Sequence, residues 1–368
     1  MSRDTFRIDS HKLIYHPERA AQVLAAQGDW QRAKSVYPIY MEVALMGACN
    51  HRCVFCAVDY IGYQSVRLDH GLLAQRIPEM ARLGVKSIMF AGEGEPLLHK
   101  QAAEIVTMTK SAGIDVAFTT NCTVLPPGFL EQGLPACSWL KVSINAGTPA
   151  TYAAIHQTKE SDFARVIDNM SRMVQARRAG GFNCTLGAQA LLLDDNAHEM
   201  ETLARLCRDE VGLDYLVIKP YSQHLFSTTE RYKGIDYQQF LQLGERLAAL
   251  NTDRFSLIFR GHTMQKYADK EKERYDRCYA VPFLWAYIMA DGTVSGCSAF
   301  LKDERFEYGN IREHSFRDIW EGERRRQSFH LVSTELDIAE CRVNCRMDEV
   351  NRYLHQIHRQ SIPHINFI

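Results

Sequence analysis

Three cysteines spaced C-x3-C-x2-C, Cys49, Cys53 and Cys56, directly follow an apolar, strand-like run from Ile39 to Met46. Thiolates are soft ligands that suit iron–sulfur clusters, zinc or copper(I), and three within eight residues can cap three corners of one cubane cluster. A fourth position is then left open. A zinc site would normally want a further nearby Cys or His, and the i, i+4, i+7 spacing is also that of a core-facing helix stripe.

The 368 residues are 46% hydrophobic and 24% charged with a formal net charge of −1, which implies a globular chain of one large domain plus a small one. Interleaved charges give no long-range field to gather nucleic acid or an anionic membrane, so neither is expected as a partner. The run Arg324-Arg325-Arg326, after Glu321 and Glu323, reads as a solvated helix face. The first ten residues lack an apolar signal core, and the longest apolar run, Val281 to Ala290, is too short for a bilayer, so a cytoplasmic location is expected. Eleven cysteines without a secretion signal favour metal ligation over disulfides. Four of them, Cys122, Cys137, Cys184 and Cys207, fall outside any ligand spacing and read as small core residues.

From Ile39 onward apolar strands alternate about six times with helical periods. The strands are expected at Ile39–Met46, Lys86–Ala91, Asp115–Thr119, Trp139–Ile144, Cys184–Leu193 and Tyr215–Lys219. Helices are expected near His70–Leu83, Lys100–Ala112, Ser161–Arg178 and His198–Val211. Such alternation implies parallel βαβ units with right-handed crossovers, an α/β fold that can curve into a partial (β/α)6 barrel with its site at the C-terminal strand ends. Residues 1–38 read as a helical extension, 39–225 as the barrel, and 226–276 as a bridge with a charged helix, an apolar run Phe255–Phe259 and the charged stretch Asp269–Arg277. Residues 277–368 read as a small α+β domain, in which Trp285–Ala290, Asp291-Gly292 and Thr293–Cys297 form a hairpin.

The cysteine loop, with Phe55 before its last cysteine, resembles the cluster motif of the radical S-adenosylmethionine (radical SAM) superfamily. That resemblance implies a [4Fe-4S] cluster on Cys49, Cys53 and Cys56, whose open iron is chelated by SAM. It further implies reductive cleavage of SAM to a 5′-deoxyadenosyl radical that abstracts hydrogen from a substrate, with a reducing partner such as flavodoxin or ferredoxin. Gly92-Glu93-Gly94-Glu95-Pro96 is similar to the family's G-G-E-P motif, which binds the methionine ammonium; Glu95 precedes the proline, and Glu93 stands where glycine is usual. Thr119-Thr120-Asn121-Cys122 is similar to its T-N-G, with cysteine for glycine. Cys122 there is either a hydrogen donor to a substrate radical or a core filler. Ser143 and Asn145 share a strand face where similar chains contact the SAM ribose, although Asn145 also suits an Asx turn. Gln189, polar in an apolar strand, calls for a partner such as SAM or substrate. Lys219, Tyr221, Gln223 and His224 end the sixth strand as candidate substrate contacts.

The C-terminal C-x13-G-x4-C spacing, with Gly309-Asn310-Ile311 and Asp318-Ile319-Trp320, resembles the auxiliary-cluster domain called SPASM or, in its single-cluster form, twitch. Its four cysteines, Cys278, Cys297, Cys341 and Cys345, imply a second [4Fe-4S] cluster with no open site. The short N-terminal extension and single auxiliary cluster point to a small, carbohydrate-like substrate, either dehydrogenated or epimerised. The alternatives are a peptide-modifying maturase and a non-catalytic two-cluster electron carrier.

Overall fold

The computed structural model describes residues 4–268, 274–281, 283–359 and 362–367. Of the charged run Asp269–Arg277, residues 269–273 lie outside the described residues, as does residue 282 of the long apolar run. Ten strands form one sheet: β1 (Tyr40–Val43), β2 (Ser87–Phe90), β3 (Asp115–Thr120), β4 (Cys137–Ser143), β5 (Thr185–Leu192), β6 (Tyr215–Pro220), β7 (Ser256–Phe259), β8 (Trp285–Ile288), β9 (Thr293–Ser295) and β10 (Glu307–Asn310). Their order is β10-β9-β8-β1-β2-β3-β4-β5-β6-β7. Neighbours from β1 to β7 are parallel, each pair joined by a helical crossover of the kind the alternation implies. No described helix is long and apolar enough to cross a membrane.

Period-two alternation divides the strand residues between two faces. Met41, Val43, Ile88, Phe90, Val116, Phe118, Leu140, Val142, Leu216 and Ile218 join the helix-side core, where they meet Leu73, Ile77, Ile105, Val166 and Met170. The intervening residues face the concave side. Glu42 on β1 acts electrostatically on Lys141 on β4, although two strands separate them, so the sheet curves into a partial barrel. Its floor is apolar: Tyr40, Met89, Ala117 and Trp139 pack together. On the far side Phe6 and Ile8, from the N-terminal extension, cover Tyr215, Val217 and Ile258.

Two expected boundaries are not breaks in the fold. The bridge contains β7, which pairs with β6 and makes a seventh parallel strand. The C-terminal hairpin continues the barrel sheet, because β8 lies parallel against β1 from Tyr40↔Trp285 to Val43↔Ile288. The arginine run also departs from expectation, since Arg325 is fully buried. Its guanidinium donates to the carbonyls of Trp320 (2.6 Å), Ala33 (3.1 Å) and Val36 (3.3 Å) and stacks 4.1 Å from the Trp320 ring, tying the N-terminal extension to the C-terminal region. A helix face with one inward position buries only that residue, and charge runs do not reveal which one it is.

Candidate functional site

The cysteine loop leaves the C-terminal end of β1 and is held from both sides. Arg52 and Val54 N–H donate to the carbonyls of His156 (3.1 Å) and Ile155 (3.0 Å). Asn121 Nδ2 donates to Asn50 Oδ1 (2.8 Å), and Asn50 Nδ2 to Thr123 Oγ1 (2.7 Å), so the end of β3 grips the loop. The thiols of Cys49, Cys53 and Cys56 are half-buried and form no disulfide. Burial, with a smaller contribution from neighbouring negative groups, pushes the Cys49 thiol up to about 12, and burial likewise raises Cys53 and Cys56. Three such thiols in a loop already pinned in place ionise readily only around a cation, which fits the donor set of a three-cornered iron–sulfur site.

Two histidines escaped the sequence reading. His156 Nδ1 lies 3.2 Å from Cys53 Sγ, while its Nε2 lies 2.9 Å from the Ile144 carbonyl oxygen. Burial lowers its pKa to about 3, so the ring is neutral. His51 is buried with neither ring nitrogen bonded, and ligand atoms of His51, Cys53 and His156 all lie within 4.8 Å of one another. Because they share Cys53, these three belong to the cysteine site. His51 could have been noticed inside the motif; His156 reaches it only through the fold.

At the end of β2 the two glutamates face different ways. Glu95 is buried beside the cysteine loop, where Oε1 accepts from Leu97 N–H (3.0 Å) and Thr120 Oγ1 (2.5 Å) and Oε2 from Asn121 N–H (2.7 Å). One lone pair of Oε2 remains free. Glu93 instead turns to the C-terminal hairpin and accepts from Ala290 N–H (2.6 Å), its Oε2 buried without a partner. Burial raises its carboxyl to about 7. The flanking glycines are required by close approach: a Cβ on Gly94 would lie 2.3 Å from the Met46 carbonyl oxygen, and one on Gly92 2.3 Å from the Tyr287 hydroxyl.

Several expected contacts are corrected. Cys122 is fully buried in the helix-side core, the position of a core filler. Its φ of 59° explains why glycine suits the position. Asn145, at φ 55°, turns back so that Oδ1 accepts from Leu191 N–H (2.7 Å); it staples β4 to β5 rather than offering both amide groups to a ribose. Ser143 and Gln189 pair in register on the concave face, and neither side chain has a protein hydrogen-bond partner among the described residues.

Of the candidate substrate contacts, Lys219 faces the lumen. Tyr221 donates to Gln223 Oε1 (3.0 Å), and Gln223 Nε2 to the Thr229 carbonyl (2.8 Å), so these two shape their own loop. His224 is buried, with Nε2 3.0 Å from the Ser298 carbonyl oxygen and Nδ1 accepting from Phe226 N–H (3.3 Å). Burial lowers its pKa to about 4, which makes it a neutral clasp between barrel and C-terminal region.

The four C-terminal cysteines line one apolar pocket together with Val281, Ala299, Phe300, Phe306 and Ile338. Burial raises the Cys297 thiol, and Cys345, Cys278 and Cys341 add to it, so all four lie within electrostatic reach of one another. The set fits a cluster with every corner capped. Asn351, unnoticed in the sequence, accepts from Tyr279 N–H (2.8 Å) and Ala280 N–H (2.9 Å) through Oδ1, which directs Nδ2 to Cys278 Sγ at 3.4 Å.

Residues 43–207 match the family model for the radical SAM superfamily, and residues 278–346 match that for an iron–sulfur cluster-binding domain, SPASM. The chain belongs to the radical SAM superfamily. Its cofactors are SAM, a SAM-binding [4Fe-4S] cluster and auxiliary iron–sulfur chemistry in the SPASM region. This radical SAM protein is similar to GTP 3′,8-cyclase of Chlorobaculum tepidum, at 27% identity over 62% of this chain and 66% of that one, so it spans just under two thirds of that relative. It is also similar to the tungsten-containing aldehyde ferredoxin oxidoreductase cofactor-modifying protein of Pyrococcus furiosus, at 23% identity over 77% and 81% of the two chains. Among solved structures, Streptococcus suis SuiB bound to its precursor peptide SuiA superposes with a TM-score of 0.64 at 17% identity, covering 81% of this chain and 67% of SuiB. His-tagged anSMEcpe with bound AdoMet gives a TM-score of 0.58 at 14% identity, covering 86% and 85%. These likenesses show a shared fold.

Proposed function

We propose that this radical SAM protein is an oxidoreductase that dehydrogenates a small polar, carbohydrate-like molecule in the barrel lumen. In this reading Cys49, Cys53 and Cys56 hold the SAM-binding cluster, and Cys278, Cys297, Cys341 and Cys345 the auxiliary one. Glu95 fixes the loops around the methionine end of SAM and offers its free lone pair to the ammonium, with Gly92 and Gly94 allowing the approach. Ser143 and Gln189 supply the unpartnered polar groups nearest the ribose. When bound, SAM and the reduced cluster supply the radical that removes one hydrogen atom from a substrate carbon.

The observation carrying the oxidative reading is that the auxiliary-site loop overhangs the lumen. Ser222 Oγ donates to the Val343 carbonyl (3.1 Å), and Arg346 pairs with Glu42 of β1 (2.8 Å), so Cys341 and Cys345 adjoin the mouth. Conversion of an alcohol carbon to a carbonyl must shed a second electron and a proton after the hydrogen atom. A cluster held by Cys278, Cys297, Cys341 and Cys345 would accept that electron, and water at the open mouth the proton. Epimerisation would need a hydrogen donor in the lumen, and the burial of Cys122 in the apolar core supports the oxidative reading instead. The test is anaerobic turnover of the reconstituted, reduced protein with SAM and candidate sugars. Expected are 5′-deoxyadenosine and a product lighter by two hydrogens. A product of unchanged mass in H2O that is one mass unit heavier when formed in D2O would overturn dehydrogenation, and intact clusters without SAM cleavage would reduce the protein to an electron carrier.

A further inference from the structure

The concave face is apolar at its floor and cationic higher up. Lys141 follows Trp139 along the lumen side of β4, its Nζ 5.7 Å from that ring. Lys219 occupies the lumen side of β6. Arg260 N–H bonds to the Ile218 carbonyl (2.9 Å), which sets Arg260 beside Lys219 at the end of β7. The auxiliary-site loop contributes Arg342, whose Nε is buried without a partner, and Arg346. Five cations therefore converge from β4, β6, the end of β7 and the overhanging loop.

Two carboxylates answer them among the described residues, and Cys345 acts electrostatically on Arg342 and Arg346, which leaves Lys141 and Lys219 as the unanswered pair. Glu42 pairs with Arg346 (2.8 Å) and Asp9 with Arg260 (2.8 Å). Lys141 and Lys219 have no ion pair or hydrogen bond among the described residues, and the charged groups acting on Lys219 are Lys141, Arg260, Arg346 and Arg342, all positive. A protein gains nothing in stability from such an arrangement, since like charges in a partly desolvated hollow repel. Burial first, then these neighbours, depress Lys219, and burial, Arg346 and Arg260 depress Lys141 to about 8 against the opposing pull of Glu42. An anion seated among them reverses that penalty, and Arg342 and Arg346 can offer paired N–H groups to its oxygens.

We propose that the lumen holds an anionic group of the substrate, a phosphate or a carboxylate, bound by Lys141, Lys219, Arg260, Arg342 and Arg346. The inference rests on the reading above that the substrate enters the lumen, and it narrows the class from neutral sugars to sugar phosphates, nucleotides or uronates. The anion lies toward β6 and β7 under the overhanging loop, whereas Glu95 sits at the end of β2. The substrate is thus anchored by its charged end while the reacting carbon points toward the SAM side.

The test measures thermal denaturation of the anaerobically reconstituted holoprotein with inorganic phosphate, pyrophosphate, glucuronate or glucose, against chloride at matched ionic strength. Phosphate, pyrophosphate or glucuronate is expected to raise the wild-type melting temperature, and glucose is not; which anion acts separates phosphate from carboxylate recognition. In Lys219→Met and Arg342→Gln the shift should shrink in step with roughly tenfold weaker binding, the cost of one charge-assisted hydrogen bond. Lys219→Met alone should melt no lower than wild type, because it relieves repulsion, and Arg342→Gln serves if that variant does not fold. No shift with any of the three anions, or undiminished shifts in both variants, overturns the proposal. SAM cleavage by the wild type is followed in parallel: anion binding without cleavage faults the enzymatic reading alone, and cleavage without anion binding faults this one alone.

Discussion

Replacing Asn351 by leucine tests the auxiliary site through one hydrogen bond. Oδ1 is committed to Tyr279 and Ala280 N–H, so the Nδ2 bond to Cys278 Sγ at 3.4 Å is fixed in direction. Leucine keeps the branched four-heavy-atom side chain and supplies none of these contacts. Two buried N–H groups lose their acceptor at about 1–3 kcal/mol each, and added apolar burial offsets about 2 kcal/mol, leaving a net destabilisation of about 0–4 kcal/mol. The bond to sulfur strengthens when the cluster gains an electron, so its loss penalises the reduced state. A differential of about 1 kcal/mol corresponds, for one electron, to a potential roughly 40 mV more negative. Anaerobic redox titration followed by electron paramagnetic resonance reads both clusters in one sample. The auxiliary signal should move and the SAM-binding cluster should not, because Asn351 contacts none of Cys49, Cys53 and Cys56. An unmoved auxiliary potential, a positive shift, or equal shifts of both clusters would refute the assignment of Cys278 or the role of the amide.

Other outcomes follow from the same contacts. Cys122→Ala should keep turnover and lose about 1 kcal/mol of stability in denaturant titration; loss of turnover in a folded variant would restore Cys122 as hydrogen donor. Glu95→Gln sets an amide N–H against the N–H of Leu97 or Asn121, so SAM binding measured by equilibrium dialysis should weaken; unchanged binding would leave the carboxylate without a role. Glu93, held up at about 7 from the ordinary 4.5, keeps a proton in the folded chain that the unfolded chain releases, so stability should fall by about 3 kcal/mol as pH rises from 4.5 to 7. Glu93→Gln should flatten that slope in melts across the same range. Arg325→Met should cost about 2–4 kcal/mol by depriving buried carbonyls of their donor, and a neutral result would mean that desolvation of the guanidinium cancels those bonds.

What the sequence disclosed and what it hid divide along sequence separation. The cysteine loop and the strand ends at Glu95 and Ser143 were legible because ligand spacing and βαβ alternation are local patterns. Gly94 was legible as a turn, while its contact with the Met46 carbonyl was not. Cys122 and Asn145 occupy positions that the family pattern singles out, but at positive φ their side chains turn elsewhere, and φ is not written in residue type. His156 and Asn351 come to their cysteines from 103 and 73 residues away. The five lumen cations are scattered over four segments, and no window of sequence is basic enough to announce them.

The parallel pairing of β8 with β1 sets an order of events at the ribosome. Tyr40 to Val43 emerge early, yet one edge of that strand stays unpaired until Trp285 to Ile288 have been synthesised. During that interval the barrel half exposes a strand edge open to association with other chains, as well as unligated thiols. Closure of the edge by β8 also joins the SPASM cysteines to the frame that carries the first three. Truncation before residue 285 would therefore remove a strand from the sheet that frames both sets of cysteines.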